Sequence, residues 1–116
     1  MTTPPIEHYD FGQIIIHGQI HRQDVIIFPA QVFTPWWRAQ GHLLQSLDLQ
    51  TVFAAAPTTL VVGQGAYGRM AIATETKAAL EAAGIQLITL PTQAACQTYN
   101  KLYTQGQVVA ALHLTC

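Results

Sequence analysis

The last half of the chain restricts the fold more than any other part, because it alternates between two hydrophobic patterns. "TTLVVG" at 58–63, "IQLITLP" at 85–91 and "QVVAALHLTC" at 107–116 are short runs without a polar face. Strands of that kind are parallel and covered by helices on both sides. Between them lie "TETKAALEAAG" at 74–84 and "TQAACQTYNKLYTQG" at 92–106, which read as helices. Thr74 is the expected N-cap of the first and Gly84 its stop; Thr92 caps the second and Gly106 ends it. The order is β-α-β-α-β, with right-handed crossovers.

The first third reads differently. "IEHYDFGQIIIHGQIHRQDVIIFPA" holds β-branched runs broken by "DFG" and "HG". "HGQ" at 17–19 suits a tight hairpin, since Gly18 takes positive φ readily. "DVIIF" at 24–28 is a further strand stopped by Pro29, and an antiparallel meander is the expected product. The segment "QVFTPWWRAQGHLLQ" has no clean period, and Pro35 makes Thr34 extended. "SLDLQTVFAAAP" then reads as a helix. Ser46 caps it, Asp48 sits in its first turn, and Leu49, Val52, Phe53 and Ala56 share a face. The fold class is α/β with α+β elements, an N-terminal antiparallel β-meander packed with a β-α-β-α-β parallel core. The chain reads as one domain over 1–116, with residues 1–5 expected to be a flexible tail.

Composition narrows the function. Half of the 116 residues are hydrophobic and 9% are charged, against roughly 25% in ordinary domains. The cations Arg22, Arg38, Arg69, Lys77 and Lys101 are scattered, so no concentrated positive face exists for nucleic acid. A net charge of -1 offers little resistance to self-association. Cys96 and Cys116 have no metal-ligand spacing and form no disulfide framework, which favours a reducing compartment. "MTTPPIEHYD" lacks the pattern of a signal segment, and no apolar run has the length that spans a bilayer. The expectation is a soluble cytoplasmic protein without membrane insertion.

"VVGQGAYGRM" at 61–70 spells G-x-G-x-x-G at Gly63, Gly65 and Gly68. A dinucleotide fingerprint needs a preceding strand, a helix opening within the motif and an acidic residue about 20 positions on. The strand is present. The helix is not expected before Thr74, and "IQLITLPT" carries no carboxylate. No dinucleotide cofactor is expected. The glycines then serve a sharp turn at a strand's carboxyl end, an edge where open sheets hold ligands. Gly63, Gly65, Tyr67, Gly68 and Arg69 are therefore a candidate site for a small anion, with a turn-stabilising Arg69 as the plainer reading.

Other candidates are fewer. His8, His17, His21, His42 and His113 form no ligand cluster, so no metal is expected. His113 reads as a satisfied core or edge histidine. Cys96 lies among apolar neighbours as an inert thiol, and no catalytic set is present. In "PWWR" at 35–38, an extended backbone sends Trp36 and Trp37 to opposite faces, so one can be core while the other needs a groove or a partner. Trp and Arg dominate binding hot spots, which makes Trp36, Trp37, Arg38 and His42 a candidate interaction surface. Asp24, Arg38 and His42 can form a polar cluster around it.

"FGQIIIHGQ", "DVIIFP", "PWWR…GH", "LVVGQGAYGRM", "TQAACQTYN" and "VVAALHLTC" fall in an order that resembles the Mth-domain family over residues 6 to 116. The family includes the adipogenesis-associated Mth domain-containing protein and a mitochondrial complex I assembly factor. The resemblance implies a single Mth-like domain with a β-rich part on a small three-layer core. It also implies a role in binding other proteins, as in the mitochondrial assembly branch. Gly63-Gln64-Gly65 departs from the Gly-Thr-Gly of many members. Two readings follow. One is a non-enzymatic interaction or assembly-type factor with a protein partner or self-association. The other is a small-ligand-binding protein or enzyme using residues 63–69.

Overall fold

A computed structural model of the chain describes residues 5–116. Of the tail expected over 1–5, residues 1–4 lie outside the described residues. Pro5 is buried, and its carbonyl accepts a hydrogen bond from the His17 N–H at 3.0 Å.

The opening meander is β1 (Ile6–Asp10), β2 (Gln13–Ile16) and β3 (Gln19–His21), antiparallel in that order. His17 at φ 48 and Gly18 at φ 79 make the turn between β2 and β3. Two consecutive left-handed residues are what a two-residue hairpin of matching twist demands. β4 (Val25–Ile27) was expected to extend this meander, but it leaves it. It pairs instead with the last strand. All three residues of β4 are buried, so it needs cover on both faces, which the meander, with β3 half-exposed or exposed, does not provide.

β5 (Val32–Phe33) follows, then β6 (Leu43–Leu44), a 3-10 turn over Ser46–Leu49 running into α1 (Gln50–Ala55), and β7 (Thr59–Gln64). The remainder is β8 (Ala71–Ile72), α2 (Thr74–Ala82), β9 (Gln86–Leu90), α3 (Thr92–Leu102) and β10 (Val108–His113). The central sheet has the order β5-β4-β10-β7-β9. β10, β7 and β9 are parallel, and β4 runs antiparallel to β10. β6 and β8 make a separate parallel ribbon.

Alternation along the buried strands sorts two cores. Ile27, Val61, Ala110 and Leu112 face Ile14 and Ile16 of the meander and Ala95, Cys96 and Tyr99 of α3. Ile26, Leu60, Val62, Val109 and Ala111 face Trp36, Leu49, Val52 and Leu80. The sheet is the middle of three layers.

None of the hydroxyls expected as caps serves as one. Ser46 opens the 3-10 turn, and its N–H and Oγ donate to Glu75; Asp48 accepts the Gln45 N–H at 2.9 Å instead. Ala73 and Pro91 are the capping residues of α2 and α3, with Thr74 and Thr92 already helical. α3 ends at Leu102, before Gly106.

Candidate functional site

The parallel strands β7 and β10 end together. Gln64 and His113 are paired as their last residues. The chain then turns through Gly65, at φ 94, and Gly68, at φ 67. Thr92 ties this edge: its Oγ1 donates to the His113 carbonyl at 2.6 Å and accepts from the Gly65 N–H at 2.9 Å. Both bonds are buried, as is Thr92. A threonine read as a helix cap is thus a clamp between two strand ends.

The glycines fit this closeness. A Cβ on Gly63 would stand 2.8 Å from Thr92 Oγ1, and one on Gly65 would stand 2.8 Å from the Thr115 carbonyl oxygen. Four of the loop's amides are also committed. Gly65 N–H donates to Thr92, Ala66 N–H to the Thr115 carbonyl, Gly68 N–H to Gly65, and Met70 N–H to Gln64. The next helix starts at Thr74, after β8. Neither a ring of open amides nor a helix N-terminus faces an anion here. What the loop exposes is Tyr67 and Arg69, with the guanidinium 5.4 Å from the Tyr67 ring centre and Phe11 packed beside that ring.

On the other side of β10 lies a charged network. Asp24 precedes β4, and its Oδ2 accepts from Arg38 Nη1 and from His113 Nδ1, both at 2.8 Å. Asp24 Oδ1 accepts the Leu114 N–H at 2.8 Å. Burial pushes this carboxyl up, but the hydrogen bonds from His113, Leu114 and Arg38 outweigh it, so its pKa lies below the ordinary value of 3.8. A carboxylate with three donors is an anion the fold has prepared to hold. Arg38 in turn reaches the Gly41 carbonyl and lies 4.7 Å from the Trp36 ring.

The structure separates the two tryptophans. Trp36 is 2% exposed, and its Nε1–H donates to the Asp48 carbonyl at 3.0 Å. It is a core residue that borders both clefts described below but offers almost no accessible surface of its own. Trp37 is 74% exposed. Trp37, Phe33 and Leu47, all exposed, line one cleft of about 470 Å3. A second cleft, about 330 Å3, is lined by Arg22, Trp37, Arg38, His113 and Thr115. His42 is exposed, with its ring edge-on to that of His113 at 6.0 Å between centres. Asp24 and Arg38 are brought together as the residue types suggested, while His42 reaches the cluster only through His113. Reading the sequence missed His113 and Thr92.

Burial pushes the Cys96 thiol up to about 12 and the Tyr99 hydroxyl to about 12. Among the described residues no cluster of three His, Cys, Asp or Glu is placed to hold a metal ion, and no helix is long and apolar enough to cross a membrane.

A family model described as "Protein of unknown function (DUF498/DUF598)" matches residues 6–113. Solved structures share the fold. A conserved hypothetical protein of Pyrococcus horikoshii OT3 superposes with a TM-score of 0.82 at 25% identity, covering 96% of this chain and 98% of that one. A protein of Rhodopseudomonas palustris is 31% identical, with a TM-score of 0.77 over 96% of this chain and 83% of its own. A Mth938-like domain of Bordetella pertussis, at 21% identity, matches with a TM-score of 0.72 over 96% and 85%.

Proposed function

The chain belongs to the DUF498/DUF598 family, and from that premise we propose that it acts by binding another protein chain, through the surface around Trp37. One observation carries this reading: three of the large exposed apolar side chains, Phe33, Trp37 and Leu47, border the same cleft. Scattered exposed apolar residues need no explanation, but contiguous ones mark interaction surfaces. β5, which carries Phe33, is also an edge strand of the central sheet, and edges accept strands from partners. An assembly-type role, as implied by the mitochondrial branch, is one form such binding takes.

The test compares wild type with Trp37→Ala by sedimentation for self-association and by co-purification from native extract for a distinct partner. An exposed aromatic anchor is worth about 2 kcal/mol or more at an interface, roughly 30-fold in Kd. Trp37→Ala should therefore lose the association while melting like wild type. Identical complexes from both proteins would remove the main support.

The alternative is a small anion held by Gly63, Gly65, Tyr67, Gly68 and Arg69. It keeps the exposed Tyr67 and Arg69 in its favour. It is the weaker reading because the N–H groups of Gly65, Ala66, Gly68 and Met70 are already paired internally.

A further inference from the structure

The two edges of the central sheet differ in what they leave open. β5 has two residues and lies between Pro29 and Pro35. Short edges and prolines are a usual means of keeping an edge from extended pairing. β9, at the other edge, has five residues, "QLITL", with no charge, proline or glycine among them. It pairs with β7 on one side, and among the described residues no backbone bond reaches it from the other. Leu87, Ile88 and Leu90 pack on the cores and stay half-buried.

Alternation along the strand says which groups are left. The Gln86 N–H donates to the Thr58 carbonyl at 2.9 Å, on the β7 side. Successive residues of a strand turn their main-chain groups to opposite sides. Gln86, Ile88 and Leu90 therefore face β7, and Leu87 and Thr89 turn N–H and C=O outward. These open groups are symmetric about Ile88. A second copy placed by a two-fold axis at Ile88 runs antiparallel, with Leu87 opposite the partner's Thr89. Each of the two Leu87–Thr89 pairs then exchanges both of its main-chain bonds, and the Ile88 pair between them is the close, non-hydrogen-bonded one. A slip by two residues spoils this match. It sets one of the pair opposite itself, and the other opposite Ile85, whose N–H is bound to the Leu80 carbonyl, or opposite Pro91, which has none. The charges on α2, the helix packed on β9, do not oppose the approach. Glu75 is bonded to Ser46, and Lys77 and Glu81 are exposed and opposite in sign.

We propose that two copies of this chain join through β9, about a two-fold axis at Ile88, into one continuous sheet. A second copy is the occupant because the open groups of β9 are their own complement. The clefts beside Trp37 lie toward β5 and stay free for a distinct partner. The dimer does not rest on the reading of that surface.

The test joins sedimentation equilibrium of the full chain to amide hydrogen exchange read by NMR. We expect a monomer–dimer equilibrium in which protection of the Leu87 and Thr89 amides rises with protein concentration. Thr89→Pro removes an outward N–H at an edge position, where proline is tolerated, and leaves the β7 side of the strand alone. It takes one bond from each Leu87–Thr89 pair and should weaken the dimer by about tenfold or more. Trp37→Ala should leave the dimer unchanged. A monomer at millimolar concentration would overturn the proposal, as would a dimer whose Leu87 and Thr89 amides exchange freely. A folded Thr89→Pro that dimerises like wild type would do the same. The exchange measurement on the unaltered chain decides the matter even where the variant fails to fold.

Discussion

Replacing Gly63 by alanine asks whether the glycine motif serves packing. The added Cβ would stand 2.8 Å from Thr92 Oγ1, 2.9 Å from Leu112 Cδ2 and 3.2 Å from Thr92 Cα. Leu112 is fully buried and has little room to turn. Thr92 is held by two buried hydrogen bonds, to the His113 carbonyl and from the Gly65 N–H. The methyl is accommodated only by moving α3 away or by breaking one of those bonds. Forcing a methyl into a packed core costs about 1–3 kcal/mol, and a lost buried hydrogen bond adds roughly 1 more. The expected loss is about 2–4 kcal/mol, which for a domain of this size is a melting point lower by roughly 8–16 °C.

Urea unfolding of a double-mutant cycle checks the cause as well as the size. Thr92→Ala alone loses both hydrogen bonds and should cost about 1–3 kcal/mol. It also removes the atom nearest the new methyl. Gly63→Ala should therefore cost at least about 0.5 kcal/mol less in the Thr92→Ala background than in wild type. A cost for Gly63→Ala below about 0.5 kcal/mol, or strict additivity, would refute the packing argument. The glycine would then have to be explained by something outside the fold.

Further outcomes follow from other residues. Trp36→Ala should cost about 3–5 kcal/mol and Trp37→Ala within about 0.5, with iodide quenching the fluorescence of Trp37 alone; equal costs would contradict the burial. Asp24 has a folded-state pKa below the ordinary 3.8, so its contribution is complete above that value and is lost as pH falls through the lower, folded one. The urea midpoint should fall over this acid range, and Asp24→Asn should lower it at neutral pH while flattening its acid dependence; an unchanged slope would count against the network. Cys96, pushed up to about 12, should resist a disulfide reagent at pH 8 while Cys116, which is half-buried, reacts. Cys116→Ser should leave no fast thiol until the protein unfolds; a fast thiol remaining would show that Cys96 is accessible.

How much was legible in the sequence depended on the distance between partners. The β-α-β-α-β half was readable because each strand is apolar on both faces, a local property. The same rule should have removed "VII" at 25–27 from the meander, since a run buried on both faces belongs inside a covered sheet. Ser46, Thr74 and Thr92 misled because a hydroxyl before an apolar run normally caps a helix, while here Ser46 meets Glu75 and Thr92 meets strand ends. Alternation at Trp36 and Trp37 predicts one inside and one outside, but which is inside depends on the Asp48 carbonyl. His113 was unreadable as more than a core histidine because its partner, Asp24, lies 89 residues away.

That separation has a consequence for where function can be dissected from folding. β10 inserts between β4 and β7, and the contacts of Asp24, Thr92 and Ala66 with residues 113–115 exist only once it has done so. The charged network and the strand-end clamp therefore form with the central sheet, not as a local loop structure, and substitutions within them will change stability and site together. Trp37, Arg22, Arg69 and His42 stand exposed at the margins of that framework. Surface changes of this kind usually alter stability little. A loss of binding on substituting one of these four can be assigned to the site itself, whereas the same loss at Asp24, Thr92 or His113 cannot be interpreted until the fold of the variant has been measured.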